Sequence, residues 1–393
     1  MTEALAPAEA AAHGLVTSPL QKANFAAVEP TMATLFIGDP PAERSARWAR
    51  DAERAGCEST HVRTERAGRA TLAESVREGV IPRAVFIEQS QDVAGFVAWM
   101  RGQGALFNVP IIAVVPAAAE QRFVSAHRAG ADDAIVDADD GGITRRLANL
   151  AEFDPAARPE TRDACVIVGP ESRRRIVGRI MRQAGFELRF AQDDDEVRRQ
   201  AEGATMIIAE GVEDAAWLRS AERPSTILLV DDERLSALRG CYERCSVGDR
   251  LAPPDHLLFQ TNELLRPDVS NVRASKRVLH SALCTFRPSG TLEPAYGLTY
   301  NFSREGLYVR TLDPPARGQS LWLELRPPFQ RDAVHLRGEV VWATGPTRPG
   351  GTTPPGFGLR LLEEACPPCD LKVFRAGYEE LVESESRALP RVA

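Results

Sequence analysis

Two short stretches decide the fold of the C-terminal quarter: RASKR at residues 273–277 and NFSREG at residues 301–306. The first stretch holds two arginines four residues apart, just ahead of a strand-like run. The second holds an Asn, a Ser and a Gly in an N-x-S-x-x-G pattern. Neither stretch is distinctive alone, but their order and the spacing between them make the combination more specific than either one. We therefore treat the two stretches as one candidate binding motif.

The residue types in this motif suit an anionic ligand that carries a heteroaromatic base. The planar guanidinium groups of Arg273 and Arg277 match pairs of phosphate oxygens or the O6 and N7 edge of guanine. Asn301 and Ser303 are two residues apart, so on an extended segment they share one face and can contact a base edge or a ribose. Gly306 fits a turn that needs a positive φ, or a close approach of the backbone to the ligand.

In order and spacing, both stretches resemble PilZ domains, the bacterial receptors for cyclic di-GMP. The resemblance covers about residues 270–363. It implies a small antiparallel β-barrel that binds cyclic di-GMP, and it assigns the ligand contacts to the matching residues, which are Arg273, Arg277, Asn301, Ser303 and Gly306. Asn at position 301 replaces the Asp that is more frequent in the family.

The sequence around the motif has the pattern of such a barrel. Strands are predicted at residues 307–310, 319–325, 333–342 and 356–361, with Pro and Gly turns between them. Residues 369–385 then predict a terminal helix with one apolar stripe, formed by Leu371, Phe374, Tyr378 and Leu381.

The charge of this region supports an anionic ligand. Residues 270–361 hold 12 Lys and Arg against 6 Asp and Glu, a net charge of +6. The rest of the chain holds 36 against 49, a net of −13, and the whole chain is at −7. A basic module on an acidic protein favours a phosphate-bearing partner, although basic barrels without nucleotide ligands also exist.

Residues 33–268 repeat one α/β pattern twice. Short apolar runs, typical of strands buried on both faces of a parallel sheet, alternate with helical stretches. The runs cover residues 34–37, 84–87, 110–115 and 134–136, and then residues 165–168, 206–209 and 227–230. The repeat predicts two doubly wound, flavodoxin-like domains ahead of the barrel.

These two domains resemble the receiver domains of two-component signalling. A working receiver needs an acidic pair after its first strand to hold Mg²⁺, a phosphoacceptor Asp ending its third, a Ser or Thr ending its fourth and a Lys ending its fifth. The first round offers Asp39, Glu88, Val115 and Asp137 at the receiver positions, and the second offers Glu171 at best, then Glu210, with Pro253 near the lysine position. No lysine occurs between Lys22 and Lys276. The resemblance therefore implies pseudo-receivers without phosphorylation chemistry.

The predicted domain order is a disordered Ala-rich N-terminus at 1–32, pseudo-receivers at 33–155 and 162–268, a PilZ barrel at 270–363 and a C-terminal helix and tail at 364–393. The run VDDE at residues 230–233 could instead begin a genuine receiver, but too few residues follow before the barrel. We interpret it as the end of the fourth strand of the second domain. The seven cysteines, including the C-x-x-C at 366–369, lack the setting of a zinc or redox site.

The sequence predicts a cytoplasmic protein, because no apolar run approaches the length of a membrane helix and the N-terminus lacks a signal-peptide pattern. The leading hypothesis is a non-enzymatic cyclic di-GMP effector, in which the ligand changes contacts between the barrel and the receiver-like domains or a protein partner. Homodimerisation is among the expected roles of those domains, and no nucleic-acid polymer is expected as a partner. The alternative is a PilZ-fold scaffold that has lost nucleotide binding and acts only through protein contacts.

Overall fold

A five-stranded parallel sheet forms the core of the first α/β domain. Four of its strands are apolar runs whose side chains are mostly buried, because helices cover both faces, whereas the edge strand β2 is polar and largely exposed. The strand order is β2-β1-β3-β4-β5. The elements are β1 Met32–Ile37, α1 Ala42–Arg54, β2 Cys57–Val62, α2 Glu65–Arg77, β3 Ala84–Glu88, α3 Val93–Arg101, β4 Ile111–Val115, α4 Glu120–Arg128, β5 Asp133–Val136 and α5 Gly142–Asn149.

The second α/β domain repeats this topology, with the strand order β10-β9-β8-β6-β7. Its fourth strand ends at Val230, as the sequence predicted, and Asp232 and Glu233 of the run at 230–233 begin the next helix. The elements are β6 Asp163–Val168, α6 Glu171–Gln183, β7 Phe186–Ala191, α7 Asp194–Gln200, β8 Met206–Glu210, a 3-10 helix Ala216–Arg219, β9 Ser225–Val230, α8 Asp232–Leu238, β10 Cys245–Asp249 and α9 His256–Leu265.

The C-terminal part is an antiparallel barrel. Six strands close in the order β13-β12-β15-β16-β17-β14, since β14 pairs again with β13, and the short β11 adds to the outer edge of β13. The elements are β11 Val278–Leu279, β12 Leu283–Pro288, β13 Ala295–Ser303, β14 Gly306–Arg310, β15 Ser320–Leu325, β16 Val334–Thr344, β17 Gly356–Leu361, a 3-10 helix Glu363–Ala365 and α10 Pro368–Arg387.

Helix α10 closes the core of the barrel. Phe374, Tyr378 and Leu381 are buried in that core, and Leu371 packs at its margin, so the predicted apolar stripe is the buried face of the helix. The predicted fold class, two flavodoxin-like domains followed by an antiparallel barrel with a C-terminal helix, is confirmed.

The computed structural model describes residues 32–139, 141–157, 160–161, 163–212, 215–220, 222–266, 275–346 and 351–387. The N-terminal segment that the sequence predicted to be disordered lies outside these ranges except for Met32. Arg273, the first arginine of the candidate motif, also lies outside them.

The barrel packs against both α/β domains. Leu298 of β13 is buried with the apolar side chains of β4, α4 and β5 in the first domain. Arg310 of β14 forms a buried ion pair with Asp255, which precedes α9 in the second domain, and the Tyr300 hydroxyl donates to the carbonyl oxygen of Asp255 at 3.0 Å. The outer face of β13 and β14 is therefore an interface as well as the location of the motif.

Candidate functional site

The pairing of β11 with β13 determines where the motif residues point. Val278 lies opposite Phe302, and both side chains are buried in the core of the barrel. Because side chains alternate along a strand, Asn301 and Ser303, on either side of Phe302, face outward. Arg277, which immediately precedes Val278, lies on the same outer side by the same alternation. The structure thus brings three of the five predicted residues to one outer face.

Asn301 lies in a row of outward residues that crosses the barrel. It pairs with Tyr308, which pairs with Gly358, which pairs with Trp342. The rings of Tyr308 and Trp342 stack at 4.8 Å between centroids, and the Tyr308 hydroxyl donates to the carbonyl oxygen of Pro354 at 2.5 Å. Asn301 is 6% exposed, and its side-chain amide makes no hydrogen bond with any described residue. The amide therefore keeps its hydrogen-bonding capacity, although the barrel surface around it is largely covered.

Ser303 and Gly306 form the tight turn between β13 and β14. The Ser303 hydroxyl donates to the carbonyl oxygen of Gly306 at 3.1 Å. Gly306 does not have a positive φ, and a Cβ atom there would lie 2.0 Å from the carbonyl oxygen of Leu359 on β17. The glycine is therefore required by the close approach of a neighbouring strand, not by the turn conformation that the sequence suggested as one possibility.

The next outward row contains a residue that the sequence reasoning missed. Ser303 pairs with Gly306, which pairs with Arg360, which pairs with Glu339. The Arg360 guanidinium contacts the Glu339 carboxylate at 3.2 Å, and its side chain is 62% exposed. The period-two alternation of GFGLRL at residues 356–361 could have identified Arg360, because it places this residue outward on a strand next to the motif.

The segment that carries Arg277 is held by contacts with the β13–β14 turn on one side and with α10 on the other. The Ser275 hydroxyl contacts the Glu305 carboxylate and accepts a hydrogen bond from the Arg304 amide at 3.3 Å. Lys276 forms an ion pair with Glu385 of α10 at 2.8 Å. These contacts hold the backbone on the N-terminal side of Arg277 against the turn and the C-terminal helix.

A pocket of about 560 Å³ opens beside Arg277. Its walls come from the barrel, from β10, α8 and α9 of the second α/β domain, and from the end of α4 in the first. Five cationic side chains face four carboxylates along these walls. The cationic residues are Arg128, Arg173, Arg239, Lys276 and Arg277. The volume and the cationic lining are suited to an anionic small molecule.

Two histidines of this pocket are held neutral. Burial, followed by the positive charge of Arg310, lowers the pKa of His256 to about 3, with smaller effects from His280 and Arg128. Burial lowers the pKa of His280 to about 4. The Nε2 atom of His256 lies 3.2 Å from the Ser281 hydroxyl oxygen. At neutral pH both rings therefore provide hydrogen-bonding groups without charge.

The carboxyl edge of the first sheet contains an arginine between two acids. Arg44 of α1 contacts Glu88, at the end of β3, and Asp137, just after β5, both at 2.7 Å. Asp137 also contacts the guanidinium of Arg47 at 2.8 Å and accepts from the Trp48 indole at 3.1 Å. The carboxylates that could have held a metal ion at this edge are thus engaged with guanidinium groups.

The second sheet repeats this arrangement at equivalent positions. Arg173 is the third residue of α6, as Arg44 is the third residue of α1. Its Nε atom lies 3.6 Å from the carboxylate of Glu210, which ends β8, and one of its terminal nitrogens donates to the carbonyl oxygen of Arg250 at 2.8 Å. Burial lowers the pKa of Arg173, while the charges of Glu210 and Asp249 raise it. The sequence reasoning identified the glutamates but missed the arginines, although both follow a proline by three residues in PAER and PESR.

Within the part of the chain that the structure describes, no group of three or more His, Cys, Asp or Glu side chains is arranged to hold a metal ion. None of the helices in the described ranges is both long enough and apolar enough to cross a membrane. All seven cysteines are free thiols, and Cys366 is buried against β16 whereas Cys369 is exposed.

Comparison with known families shows a PilZ domain at residues 271–365. Among solved structures, the PilZ domain of YcgR from Escherichia coli with c-di-GMP is similar to this chain at 15% identity; the alignment covers 30% of this chain and 97% of that one, with a TM-score of 0.23. The response regulator RPA3017 in red light signalling of R. palustris is similar at 14% identity, over 32% of this chain and 96% of that one, with a TM-score of 0.27. Comparison with curated proteins finds no match.

Proposed function

We propose that this protein is a non-enzymatic effector that binds cyclic di-GMP through its PilZ domain. The observation that carries the proposal is the shared outer face of Arg277, Asn301 and Ser303 beside the cationic pocket. In the proposal, Arg273 and Arg277 contact phosphate oxygens or guanine edges, and Asn301 and Ser303 contact a base or ribose. Gly306 contributes by holding the β13–β14 turn in place, because it permits the close approach of β17.

Binding at this face would change the contacts between the barrel and the α/β domains. Tyr300 is next to Asn301 on β13, and its ring meets those of His256 and Phe259 in α9 at centroid distances of 5.8 and 6.2 Å. A ligand that orders Arg277 and reaches Asn301 must therefore act within one or two residues of this interface. If the ligand prefers one arrangement of the interface, binding shifts the population toward that arrangement.

The α/β domains act in this proposal as docking surfaces, for an unidentified protein or for a second copy of the chain. Each has an arginine at the edge of its sheet where phosphotransfer would need a metal ion and an acceptor carboxylate. The arrangement supports a role for these domains in protein contacts and gives no support to catalysis by them.

The second candidate is a scaffold whose barrel no longer binds nucleotide. It is favoured by the burial of Asn301 and by the use of the Ser303 hydroxyl within its own turn. In this alternative, the motif remains as part of the barrel structure, and the protein acts only through its interfaces.

Calorimetric titration of the full-length protein with cyclic di-GMP tests the two candidates. The effector proposal expects micromolar or tighter binding that Arg273→Ala and Arg277→Ala both weaken, and Arg326→Ala, an exposed arginine elsewhere on the barrel, does not. An absence of heat at micromolar ligand would favour the scaffold. The scaffold alternative also predicts that, in cells, replacing both motif arginines leaves the phenotype intact, whereas removing the barrel abolishes it.

A further inference from the structure

We propose that Arg128 of the first α/β domain and Arg239 of the second bind the phosphates of the dinucleotide, so that all three parts of the chain form one ligand site. This inference rests on the proposed function and extends it to residues outside the PilZ domain. Both arginines line the pocket that opens beside Arg277. Arg128 is the last residue of α4, and Arg239 immediately follows α8.

Two other cations of this pocket, Lys276 and Arg173, are already engaged with protein groups. Lys276 contacts the Glu385 carboxylate at 2.8 Å. Arg173 lies 3.6 Å from Glu210 and donates to the carbonyl oxygen of Arg250. Their positive charge is therefore largely committed to the protein itself.

Arg128 and Arg239 differ from those cations. Within the described ranges, neither guanidinium has an ion pair or a hydrogen bond to another residue. Arg239 is half-buried and Arg128 is exposed at the rim of the pocket. The walls of the pocket also carry four carboxylates, but neither Arg128 nor Arg239 is paired with one of them. Both charges are therefore available to an anion that enters, and the cavity walls strengthen their combined field.

Cyclic di-GMP carries negative charges that can pair with the guanidinium groups of Arg128 and Arg239. Its two phosphodiester groups each carry one negative charge, and each can accept a paired hydrogen bond from a guanidinium. Since the barrel contributes Arg277 to the same pocket, one ligand could be bound from the barrel and from both α/β domains at once. Such a ligand would hold the three parts together, which gives the proposed change in domain contacts a physical cause.

Calorimetric titration of full-length variants with cyclic di-GMP tests the inference. We expect Arg128→Ala and Arg239→Ala each to weaken binding by about tenfold or more, and the double variant by about a hundredfold, as for lost charge-assisted contacts at separate positions. The matched controls are Arg122→Ala on α4 and Arg234→Ala on α8, which do not line the pocket and should bind within about threefold of the unmodified protein.

Melting curves without ligand separate binding from folding. If Arg239→Ala lowers the Tm, Arg239→Gln, which keeps most of the side-chain length, replaces it in the titration. Wild-type-like affinity of the Arg128 and Arg239 variants, together with weakened binding by Arg277→Ala, would overturn this inference and leave the proposed function intact. Absence of binding by the unmodified protein would overturn both.

Discussion

Arg310 and Asp255 form a buried, two-point ion pair that connects β14 of the barrel to the residue preceding α9. The Nε atom of Arg310 lies 2.6 Å from Oδ2 of Asp255, and its Nη1 atom donates to Oδ1 at 2.8 Å. Arg310 is two residues from Tyr308, which pairs with Asn301, so the pair lies on the same side of the barrel as the candidate ligand face. The ion pair therefore connects the candidate ligand face of the barrel to the second α/β domain.

Asp255→Asn should strongly destabilise the protein. The substitution leaves the Arg310 guanidinium buried without its counter-charge, and loss of one partner of a buried pair costs about 3 to 5 kcal/mol. The free energy of unfolding, measured by urea denaturation, reports this loss. The double variant Asp255→Leu/Arg310→Met removes both charges and should recover most of it. A single variant as stable as the unmodified protein would show that the pair contributes little to the interface.

Acid should destabilise the folded protein through the buried histidines. The pKa of His256 is about 3 in the folded chain, mainly because of burial, against an ordinary value of 6.5. Between these values the unfolded state binds the extra proton, so stability is fully present above about pH 6.5 and is lost as the pH falls. For one such histidine, the free energy of unfolding should fall by about 2 kcal/mol between pH 7 and pH 5.

His256→Gln should remove this part of the pH dependence. Urea denaturation at the two pH values measures it, and His335→Gln, at an exposed position on the barrel, is the matched control. His280, whose pKa burial lowers to about 4, should still contribute its own dependence in the variant. An unchanged difference between pH 7 and pH 5 in His256→Gln would contradict the assignment.

Gly306→Ala should disrupt the barrel itself. The new Cβ atom would lie 2.0 Å from the Leu359 carbonyl oxygen, and backbone atoms cannot yield as a flexible side chain can. Strain of this kind costs about 1 to 3 kcal/mol, so the Tm should fall by several degrees. Gly104→Ala is the control, because no heavy atom lies within 4 Å of a Cβ built there. A Tm equal to that of the unmodified protein would mean that β14 and β17 separate without cost.

The sequence predicted the inner strands of the two parallel sheets but missed three of their four edge strands, for a physical reason. Inner strands such as β3 and β8 are buried on both faces and therefore read as continuous apolar runs. The outer strands β2, β7 and β10 have the polar sequences CESTHV, FELRFA and CSVGD, and they were not predicted, because an edge strand needs fewer apolar residues.

The candidate site was predicted where it depends on local sequence and missed where it depends on domain packing. Alternation along β13 was enough to place Asn301 and Ser303 on one face. The proximity of Arg239 to Arg277 arises from tertiary packing of residues 38 apart in the sequence, and no local pattern encodes it. The ion pair between Asp255 and Arg310 was missed for the same reason.

Acetyl phosphate should leave the α/β domains unlabelled. Glu88 and Glu210 end the third strands of the two sheets, where a phosphoacceptor would lie, and each faces an arginine from the first helix of its domain. Incubation with radiolabelled acetyl phosphate and Mg²⁺, followed by gel electrophoresis, measures the modification. Label that base and hydroxylamine both remove, as expected of an acyl phosphate, would show that one of these edges still performs phosphotransfer.

Arg44→Ala should lower the stability of the first α/β domain. It leaves the carboxylates of Glu88 and Asp137, both largely buried, without the guanidinium that bridges them. The expected loss is about 2 kcal/mol in the free energy of unfolding, since a charge-assisted contact to each acid is removed. Arg50→Ala, an exposed residue on the same helix, is the control. Equal stabilities of the two variants would show that the bridge is unimportant.

Arg273 and Arg277 together form the proposed clamp on the ligand, and binding should depend at least as much on Arg277 as on Arg273. The backbone of Arg277 directly precedes β11 and is held by the contacts of Ser275 and Lys276, so little conformational entropy is lost when the ligand binds it. Arg277→Ala should therefore cost at least as much binding free energy as Arg273→Ala, with each loss about 2 kcal/mol or more. Ser303→Ala should cost about 1 kcal/mol, because a neutral hydroxyl contributes less.

Affinities and melting curves together test the clamp. All three variants should fold, because the Arg277 and Ser303 side chains lie on the outer side of the barrel and not in its core. Since the Ser303 hydroxyl donates to the carbonyl oxygen of Gly306, a small decrease in Tm is expected for Ser303→Ala and none for Arg277→Ala. If Arg277→Ala binds cyclic di-GMP normally, or if it unfolds the barrel, the assignment of Arg277 to the ligand is wrong.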